Sequence, residues 1–321
     1  MRVLEGYAGG NSLVDEQLAR LYNKCRSDEP WSQRAMEPRD IAELFRSTWF
    51  SPGMLALLEL GRRVVGYSWV WRSRGGPESS LCIDPGIPEG LRRIGVEILL
   101  SWIGRRCREK GGGRLFIWAG LRYGYTHRVI RDALTGFVEE RGSTLMRFSG
   151  RIREVEPPRG YEIVRVENPV DERVLRGVVE VYNEAFSRYE WHFPRSYDDV
   201  HREFARRRPV IFAALKEGEI VGFAELTRFR AVDGGVSVEV AVLAVRPRHQ
   251  GRGLGKALLH RAVLYAVEVM AVVDRLFLVS VPGLEGFYFS MGFVPWRESV
   301  GIKIPVGALP LRGYPAAPAQ G

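Results

Sequence analysis

The sequence predicts a mixed α/β fold that is present in two tandem copies, and three observations support this. The chain has 321 residues, a length that suits about two domains. Hydrophobic residues make up 45% and charged residues 26%, which is typical of a globular protein and excludes a disordered or collagen-like chain. One succession of strand-like and helix-like segments also occurs twice along the chain.

Each copy contains a predicted β-hairpin. Residues 55–72 and residues 211–228 both show an apolar run, a turn at Gly61 or Gly218, and a second run with Val, Gly and an aromatic residue in succession. The same order of elements follows both hairpins. We therefore interpret the similarity as an internal repeat.

The elements that follow each hairpin are a helix, a strand, another helix and a final strand. Apolar residues at helical spacing predict the first of these helices near 91–109 in one copy and near 253–270 in the other. The next strand is predicted at 115–119 and at 276–280.

The second copy also shows the elements that precede its hairpin. Residues 161–167 predict a first strand, and residues 171–190 and 196–207 predict two helices. Proline and glycine interrupt the periodicity at 155–160, which predicts a linker. We expect domains at 1–156 and 157–308, followed by a flexible tail at 309–321.

Several classes of protein are disfavoured by composition. No apolar run approaches the roughly 18 residues of a membrane span, and the N-terminus lacks the apolar core of a signal peptide, so we expect a cytoplasmic protein without a membrane partner. Cys25, Cys82 and Cys107 are oddly spaced, which predicts neither a disulfide framework nor a zinc cluster. No histidine pair has metal-ligand spacing, so we expect no metal.

The chain carries a formal net charge of +9, mostly through arginine. This surplus is dispersed, and most arginines have acidic residues nearby. A solvated surface explains such a pattern better than a nucleic-acid site, which would need aromatic residues interleaved with clustered basic ones. We expect no nucleic-acid partner.

The most informative stretch is a strand, a glycine-rich loop and a helix. Residues 236–245 form a β-branched run typical of a buried strand, and Pro247 cannot continue it. Gly251, Gly253 and Gly255 allow a tight turn into the predicted helix. Free N–H groups at such a helix N-terminus favour an anionic ligand.

This loop resembles a known cofactor signature. Gln250-Gly-Arg-Gly-Leu-Gly255 lacks the Walker and Rossmann patterns, but it is similar to the acyl-CoA motif Q/R-x-x-G-x-G/A of the GNAT superfamily of N-acetyltransferases. Downstream, residues 286–293 resemble the family's FYxxxGF ending of its fourth helix. The resemblance covers about residues 160–305, and it implies two tandem GNAT-like folds.

The resemblance implies that acetyl-CoA is the cosubstrate. In such proteins the loop amides hold the pyrophosphate, and the preceding strand splays from its neighbour and pairs with the pantetheine arm. His249, taken by itself, is typical of a surface residue. The expected cofactor-binding residues are Leu243, Ala244, Val245, Arg248, His249, Gln250, Gly251, Arg252, Gly253, Leu254, Gly255, Lys256 and Ser280.

The first copy departs from this pattern. In the loop at 85–95 only Gly95 matches a loop glycine, and Pro88 lacks an amide donor. The copy keeps Gly136-Phe137, but Asp132 replaces the tyrosine four residues before the glycine. We expect this copy to bind acyl-CoA poorly or not at all, and to pack on the second copy and wall the acceptor site. The architecture resembles that of mycothiol synthases.

Two residues are predicted to be catalytic. Glu239 lies in the apolar strand, at the spacing of the general base in the histone-acetylating branch of the family, and burial would raise its pKa toward a useful range. Its alternative role is structural, and Glu225 on the neighbouring strand is the second candidate. Tyr288 matches a family tyrosine that protonates the leaving thiolate, with aromatic packing as the alternative.

Other site residues follow from the same resemblance. The expected oxyanion donor is a backbone N–H near Leu243 or Ala244. Val281 replaces an asparagine of the family, and Ser280 is its candidate substitute. Trp191 and His192 lie where family acceptors bind, although local packing explains them equally well. His201 and His260 are interpreted as helix-surface residues.

The predicted function is transfer of the acetyl group of acetyl-CoA to a primary amine by direct attack in a ternary complex. Three alternatives stay open: transfer of another acyl group, a non-catalytic acyl-CoA-binding module, and an RNA-associated module. The acceptor is a small-molecule or peptide amine, and the protein is expected to be a monomer or homodimer.

Overall fold

The chain follows the order of strands and helices that the repeat predicts. The computed structural model describes residues 1–47, 50–73, 75–109, 111–190, 192–310 and 316–318. The strands of these residues are β1 (Arg2–Glu5), β2 (Leu55–Leu60), β3 (Arg63–Ser73), β4 (Gly76–Ile83), β5 (Arg114–Leu121), β6 (Val138–Phe148), β7 (Glu162–Arg165), β8 (Val210–Lys216), β9 (Glu219–Arg230), β10 (Val236–Val245), β11 (Leu276–Ser280), β12 (Phe293–Pro305) and β13 (Ala316–Pro318). The α-helices are α1 (Ser12–Cys25), α2 (Pro38–Phe45), α3 (Glu89–Glu109), α4 (Tyr125–Arg131), α5 (Glu172–Phe186), α6 (Tyr197–Arg207), α7 (Leu254–Glu268) and α8 (Glu285–Phe289).

Unit 1 comprises residues 1–142 and 298–321. Its strands lie in the order β13-β1-β2-β3-β4-β5-β12. β4 and β5 are parallel, as are β1 and β13, and the other described pairs are antiparallel. One face of this sheet packs against α3, and the other packs against α1 and α2.

Unit 2 comprises residues 143–297. Its strands lie in the order β6-β11-β10-β9-β8-β7. β10 and β11 are parallel, whereas β11 with β6, β10 with β9, and β9 with β8 are antiparallel. Helix α7 covers one face, and α5 and α6 cover the other. The predicted mixed α/β fold in two copies is therefore confirmed.

Both predicted hairpins are present. Gly61 and Gly218 make the turns with φ of +67° and +80°, a backbone region that glycine adopts without a Cβ clash. Helix α5 begins where the Asp171 carboxylate accepts from two backbone N–H groups, and the Ser196 hydroxyl does the same for one N–H of α6. These caps fix the starts of the two helices beside the hairpin of unit 2.

The units divide the chain at other places than the predicted boundaries of 156 and 308. The chain leaves unit 1 within β6, whose residues 144–147 pair with 277–280 of β11. It returns to unit 1 within β12, whose residues 299–305 pair with β5. The last strand of each sequence copy thus completes the sheet of the other unit. The repeat could not reveal this, because a strand sequence does not specify which edge it pairs with.

The tail and the cysteines also differ from expectation. Residues 316–318 form β13 and pair with β1, while the rest of the predicted tail beyond residue 310 lies outside the described residues. Cys25 and Cys82, both buried, form a disulfide that joins α1 to β4, and Cys107 is a buried free thiol. The prediction that the cysteines form no disulfide was wrong, because residues 57 apart in sequence meet only through packing. Among the described residues, no helix has the length and apolar character to cross a bilayer.

Candidate active site

A β-bulge divides β10 into two parts. Before the bulge, Val238–Val240 pair with Leu276–Leu278 of β11 on one side and with β9 on the other. The register against β9 then shifts between Val240 and Val242, and from Val242 onward the described pairing is with β9. One edge of the last four residues of β10 is therefore open, which agrees with the splayed strand that the sequence resemblance implies.

The bulge determines which backbone groups face the open edge. The Val238 N–H is directed toward the β11 side, where it donates to the Arg275 carbonyl oxygen at 3.0 Å. The Arg246 N–H, eight residues later, is directed toward β9 and donates to the Val221 carbonyl oxygen at 2.9 Å. Because hydrogen-bonded and non-hydrogen-bonded positions alternate in an antiparallel pair, the N–H groups of Leu243 and Val245 point away from β9. Of the two expected oxyanion donors, Leu243 faces the open edge and Ala244 does not.

The glycine-rich loop leads from this edge into α7. Residues 247–249 form a short turn of 3-10 helix, and Gly251 and Gly253 have φ of +74° and +87°. Gly253 is the N-cap of α7, and an added Cβ would meet nothing within 4 Å there. The space beside the loop and the free N–H groups of the first helical turn form a cradle for an anionic group.

Cationic side chains surround the cradle. Arg252 is exposed and its guanidinium donates to the Arg248 carbonyl oxygen at 3.4 Å. Arg248 lies 3.6 Å from Glu219, an exposed pair of small energetic weight. Lys256 lies in the first turn of α7. Arg246 at the start of the loop is occupied elsewhere, because it forms ion pairs with Glu180 and Glu184 of α5.

His249 is buried, in contrast to its interpretation as a surface residue. Its Nδ1 lies 2.9 Å from the Tyr161 hydroxyl, and the two rings meet edge to face. Burial lowers the pKa of His249, and the cations Arg248, Lys216 and Arg252 lower that pKa further. The His249 side chain thus packs under the loop against Tyr161. The lowering of its pKa by these cations indicates a positive electrostatic potential at the loop, which favours an anion.

Two side chains that were expected to contact the cofactor instead form hydrogen bonds within the protein. The Gln250 side-chain amide donates to the Val245 carbonyl oxygen at 2.8 Å, so this side chain braces the loop. The buried Ser280 hydroxyl donates to the Val281 carbonyl oxygen at 3.0 Å. Leu254 is buried in the core under α7, and Gly255 lies against Phe287 of α8. These residues shape the site through packing and backbone.

Two carboxylates share the sheet face covered by α5 and α6. Glu225 pairs with Val242 across β9 and β10, and Glu239 pairs with Thr227. Their apolar neighbours in sequence pack against α7, so alternation places both glutamates on the opposite face. Glu239 is half-buried, whereas Glu225 is 2% exposed.

Glu225 has the properties of a proton acceptor. Thr227 donates to its Oε1 at 3.2 Å, while its Oε2 is buried with no hydrogen-bond partner among the described residues. Burial raises the pKa of Glu225 to about 7, helped by Glu203 and opposed by Arg195 and Arg207. A carboxyl group that titrates near neutral pH can take a proton from an ammonium group.

Tyr288, which lies on α8, has the properties of a proton donor. It is half-buried, with ring centroids 5.0 Å from Phe287 and 6.4 Å from Phe293. Burial raises the pKa of its phenol to about 12, and the Tyr189 phenol in the segment between α5 and α6 contributes. The group is therefore fully protonated at neutral pH and can donate.

Contacts of α5 and α6 fix Arg195, a residue of the segment between these helices that the sequence analysis did not single out. Asn183 binds both the N–H and the carbonyl oxygen of Arg195, at 2.8 and 3.0 Å, and fixes the end of this segment. The Arg195 guanidinium pairs with Glu203 and lies 5.2 Å above the Tyr182 ring. These contacts join residues of two helices. The only sequence feature that could have indicated them was the spacing of aromatic residues along α5. The Tyr182 ring also lies 5.5 Å from that of His192.

Other histidines and Trp191 complete the comparison with the sequence. His192 is buried, and His201 is exposed as expected. His260 is buried within α7, in contrast to its interpretation as a surface residue, because α7 is apolar on most of its circumference. Trp191 lies outside the described residues.

The corresponding place in unit 1 is built differently. Among the described residues β4 pairs with β5 through residues 78–80, so residues 81–83 of β4, which pair with β3, also have an open edge on the β5 side. The Tyr125 hydroxyl donates to the Ile83 carbonyl oxygen at 3.0 Å and occupies this end of β4. Asp84, which aligns with Arg246 in the repeat, is buried and pairs with Lys24 and Arg63. An acidic group thus stands where unit 2 has a basic one.

The sequence of unit 2 is similar to that of a known protein family. The model of the acetyltransferase (GNAT) family matches residues 178–293. Among solved structures, a tandem GNAT protein from the clavulanic acid biosynthesis pathway superposes with a TM-score of 0.66 at 15% identity, covering 95% of this chain and 98% of that one. A GCN5-related N-acetyltransferase from Sphaerobacter thermophilus gives 0.58 at 17% identity, covering 99% and 97%. A GNAT-family acetyltransferase from Colwellia psychrerythraea gives 0.57 at 10% identity, covering 95% and 100%. These likenesses establish the tandem fold.

Proposed function

We propose that the chain is a tandem acyltransferase of the GNAT type and that it transfers the acetyl group of acetyl-CoA to a primary amine. The acceptor is a small-molecule or peptide amine that attacks directly in a ternary complex. The proposal retains the expectations from sequence that the protein acts in the cytoplasm as a monomer or homodimer. It rests on the properties of four features in unit 2: the open edge of β10, the glycine loop, Glu225 and Tyr288.

The residues present fit acetyl-CoA. The N–H groups of Leu243 and Val245 face an open strand edge, which suits the amide-bearing pantetheine arm. The loop at Gly251 and Gly253 leaves backbone N–H groups free at the start of α7, which suits a pyrophosphate. Arg248, Arg252 and Lys256 would add long-range attraction for the anion.

Acetyl-CoA supplies an activated carbonyl carbon bonded to sulfur. In the proposed reaction the neutral amine forms a C–N bond to that carbon, and the C–S bond breaks. The Leu243 N–H would stabilise the negative charge that develops on the carbonyl oxygen. The amine loses one proton to a carboxylate, and the departing thiolate takes one proton from Tyr288, so the products are an amide and the free thiol.

Glu225 is the better-supported base. Its burial, its pKa near neutrality and its unpartnered Oε2 suit a group that must be ionised yet willing to accept a proton. Glu239 lies on the same face and remains the alternative. E225Q and E239Q distinguish the two candidates. In the variant that lacks the base, kcat/KM should no longer fall at low pH, whereas the other variant should keep this decrease.

Binding of acetyl-CoA by unit 2 is tested by calorimetric titration with acetyl-CoA and free CoA. We expect one site per chain, because Tyr125 and Asp84 occupy the corresponding region of unit 1. G253V should abolish binding, since it places a β-branched side chain at a φ of +87° beside the phosphate cradle. G234V is the matched control, with the same φ of about +86° in the β9–β10 turn of the same unit.

The outcomes separate the alternatives. Unchanged affinity in G253V would refute the assignment of the loop. Two sites per chain would show that unit 1 also binds the cofactor. Binding without amine-dependent release of thiol, across a panel of amines, would favour the non-catalytic acyl-CoA module.

A further inference from the structure

The helix that carries Tyr288 is short and is held at both ends by one neighbouring segment. Helix α8 has five residues, too few to be stable without tertiary contacts. Residues 144–149, at the end of β6 and just beyond it, contact the first residue of α8 and Gly292, which follows the helix. We call residues 144–149 the bracing segment.

The first contact lies at the start of α8. Thr144 is buried, and its hydroxyl donates to Oε1 of Glu285 at 3.1 Å. The other carboxylate oxygen of Glu285 accepts from the Gly283 N–H at 2.8 Å. Glu285, the first residue of α8, is thus fixed between β6 and the turn that leads out of β11.

The second contact lies at the end of α8. The N–H and the hydroxyl of Ser149 both donate to the Gly292 carbonyl oxygen, each at 2.8 Å. Gly292 has a φ of +86°, and an added Cβ would overlap the Arg151 carbonyl oxygen. Only glycine therefore fits at this position, where the chain leaves α8 in close contact with the backbone of Arg151.

The bracing segment is itself rigidly placed. Residues 144–147 pair in register with 280–277 of β11, so Thr144 stands opposite Ser280 at the end of that strand. In sequence this segment belongs to the first copy, and the predicted domain boundary at 156 assigned it there. In the structure it lies in unit 2.

We propose that the bracing segment positions the Tyr288 hydroxyl for proton donation, with Thr144 and Ser149 as its positioning residues. The second copy thereby depends on the last strand of the first copy for its proton donor. This inference rests on the proposed function of Tyr288. It assigns the bracing segment no contact with substrate.

The test compares T144V/S149A, Y288F and the triple variant. T144V/S149A should lower kcat by about 10- to 100-fold, the scale expected for a misplacement of about 1 Å, with acetyl-CoA affinity unchanged within about twofold. In the Y288F background the same pair of substitutions should lower kcat no further, because the group they position is already absent. S101A is the control, since it removes a buried serine-to-carbonyl hydrogen bond of 2.7 Å in α3 of unit 1.

Each result has a distinct meaning. A T144V/S149A variant with full kcat, alongside an impaired Y288F, would overturn the positioning role and leave the proposed function intact. Equal losses of kcat from T144V/S149A in the wild-type and Y288F backgrounds would also overturn it, because a general structural defect is additive. A fully active Y288F would instead refute Tyr288 as the acid.

Discussion

Replacing Glu225 with glutamine should change how the stability of the protein depends on pH. The side chain is 2% exposed, and burial raises its pKa from 4.5 to about 7. Glutamine has nearly the same shape but does not ionise. The folded E225Q variant thus keeps the packing of the wild type and avoids the free-energy penalty of burying a charged carboxylate.

The sign of the effect follows from proton binding. Between pH 4.5 and about 7 the folded state holds a proton on Glu225 that the unfolded state has lost, so the free energy of unfolding falls as pH rises through this window. At about 1.4 kcal/mol for each tenfold change in proton affinity, the full window is worth about 3 kcal/mol. E225Q avoids this loss. It should therefore gain up to about 3 kcal/mol relative to the wild type on going from about pH 4.5 to about pH 8.5.

Chemical denaturation of both proteins at these two pH values measures the effect as a double difference. E162Q, which changes an exposed glutamate of β7, is the control and should follow the wild type. Parallel pH dependences for wild type and E225Q would refute the argument that Glu225 is buried and protonates near neutrality. E225Q should also lose the low-pH limb of kcat/KM and about 10²–10⁴-fold in rate, the usual effect of removing a general base.

Two further predictions concern Tyr288 and the disulfide. Y288F should lower kcat by about 10²–10⁴-fold with little change in acetyl-CoA affinity, because in the proposed reaction the phenol, with a pKa of about 12, supplies a proton and little binding energy. Steady-state thiol release and calorimetry measure the two quantities, and full activity would remove Tyr288 as the acid. C25A/C82A should destabilise unit 1 by about 2–4 kcal/mol, because the two cysteines are 57 residues apart in sequence and their cross-link closes a long loop in the unfolded chain. Equal stability of this variant and the wild type under non-reducing denaturation, or alkylation of both cysteines in unreduced protein, would contradict the cross-link.

Much of the fold could be predicted from local patterns. The turn glycines Gly61 and Gly218, the apolar run of β10 and the helical spacing of α7 each reflect a preference within a few consecutive residues. The same is true of the loop that begins α7, since Gly251 and Gly253 adopt the positive φ values that glycine tolerates. Those elements were therefore placed nearly where the structure has them.

Other features depend on residues far apart in sequence. His249 was interpreted as a surface residue because it precedes the loop, yet it is buried and its ring contacts Tyr161. Cys25 and Cys82 meet because α1 packs across β4. The sequence analysis preferred Glu239 to Glu225. Burial of Glu225 and the approach of Glu203 raise the pKa of Glu225, which is why we propose Glu225 as the base.

The sequence by itself determined two α/β copies and, in the second copy, a glycine-rich loop that begins a helix, because these follow from periodicity and local backbone preference. Only the tertiary structure decided that the final strands are exchanged between the units, that Leu243 rather than Ala244 faces the open edge, and that Glu225 titrates near neutral pH. Strand pairing, bulge register and desolvation all arise from groups that approach each other only after folding. A chemical role that depends on such approaches is fixed by packing and not by residue type.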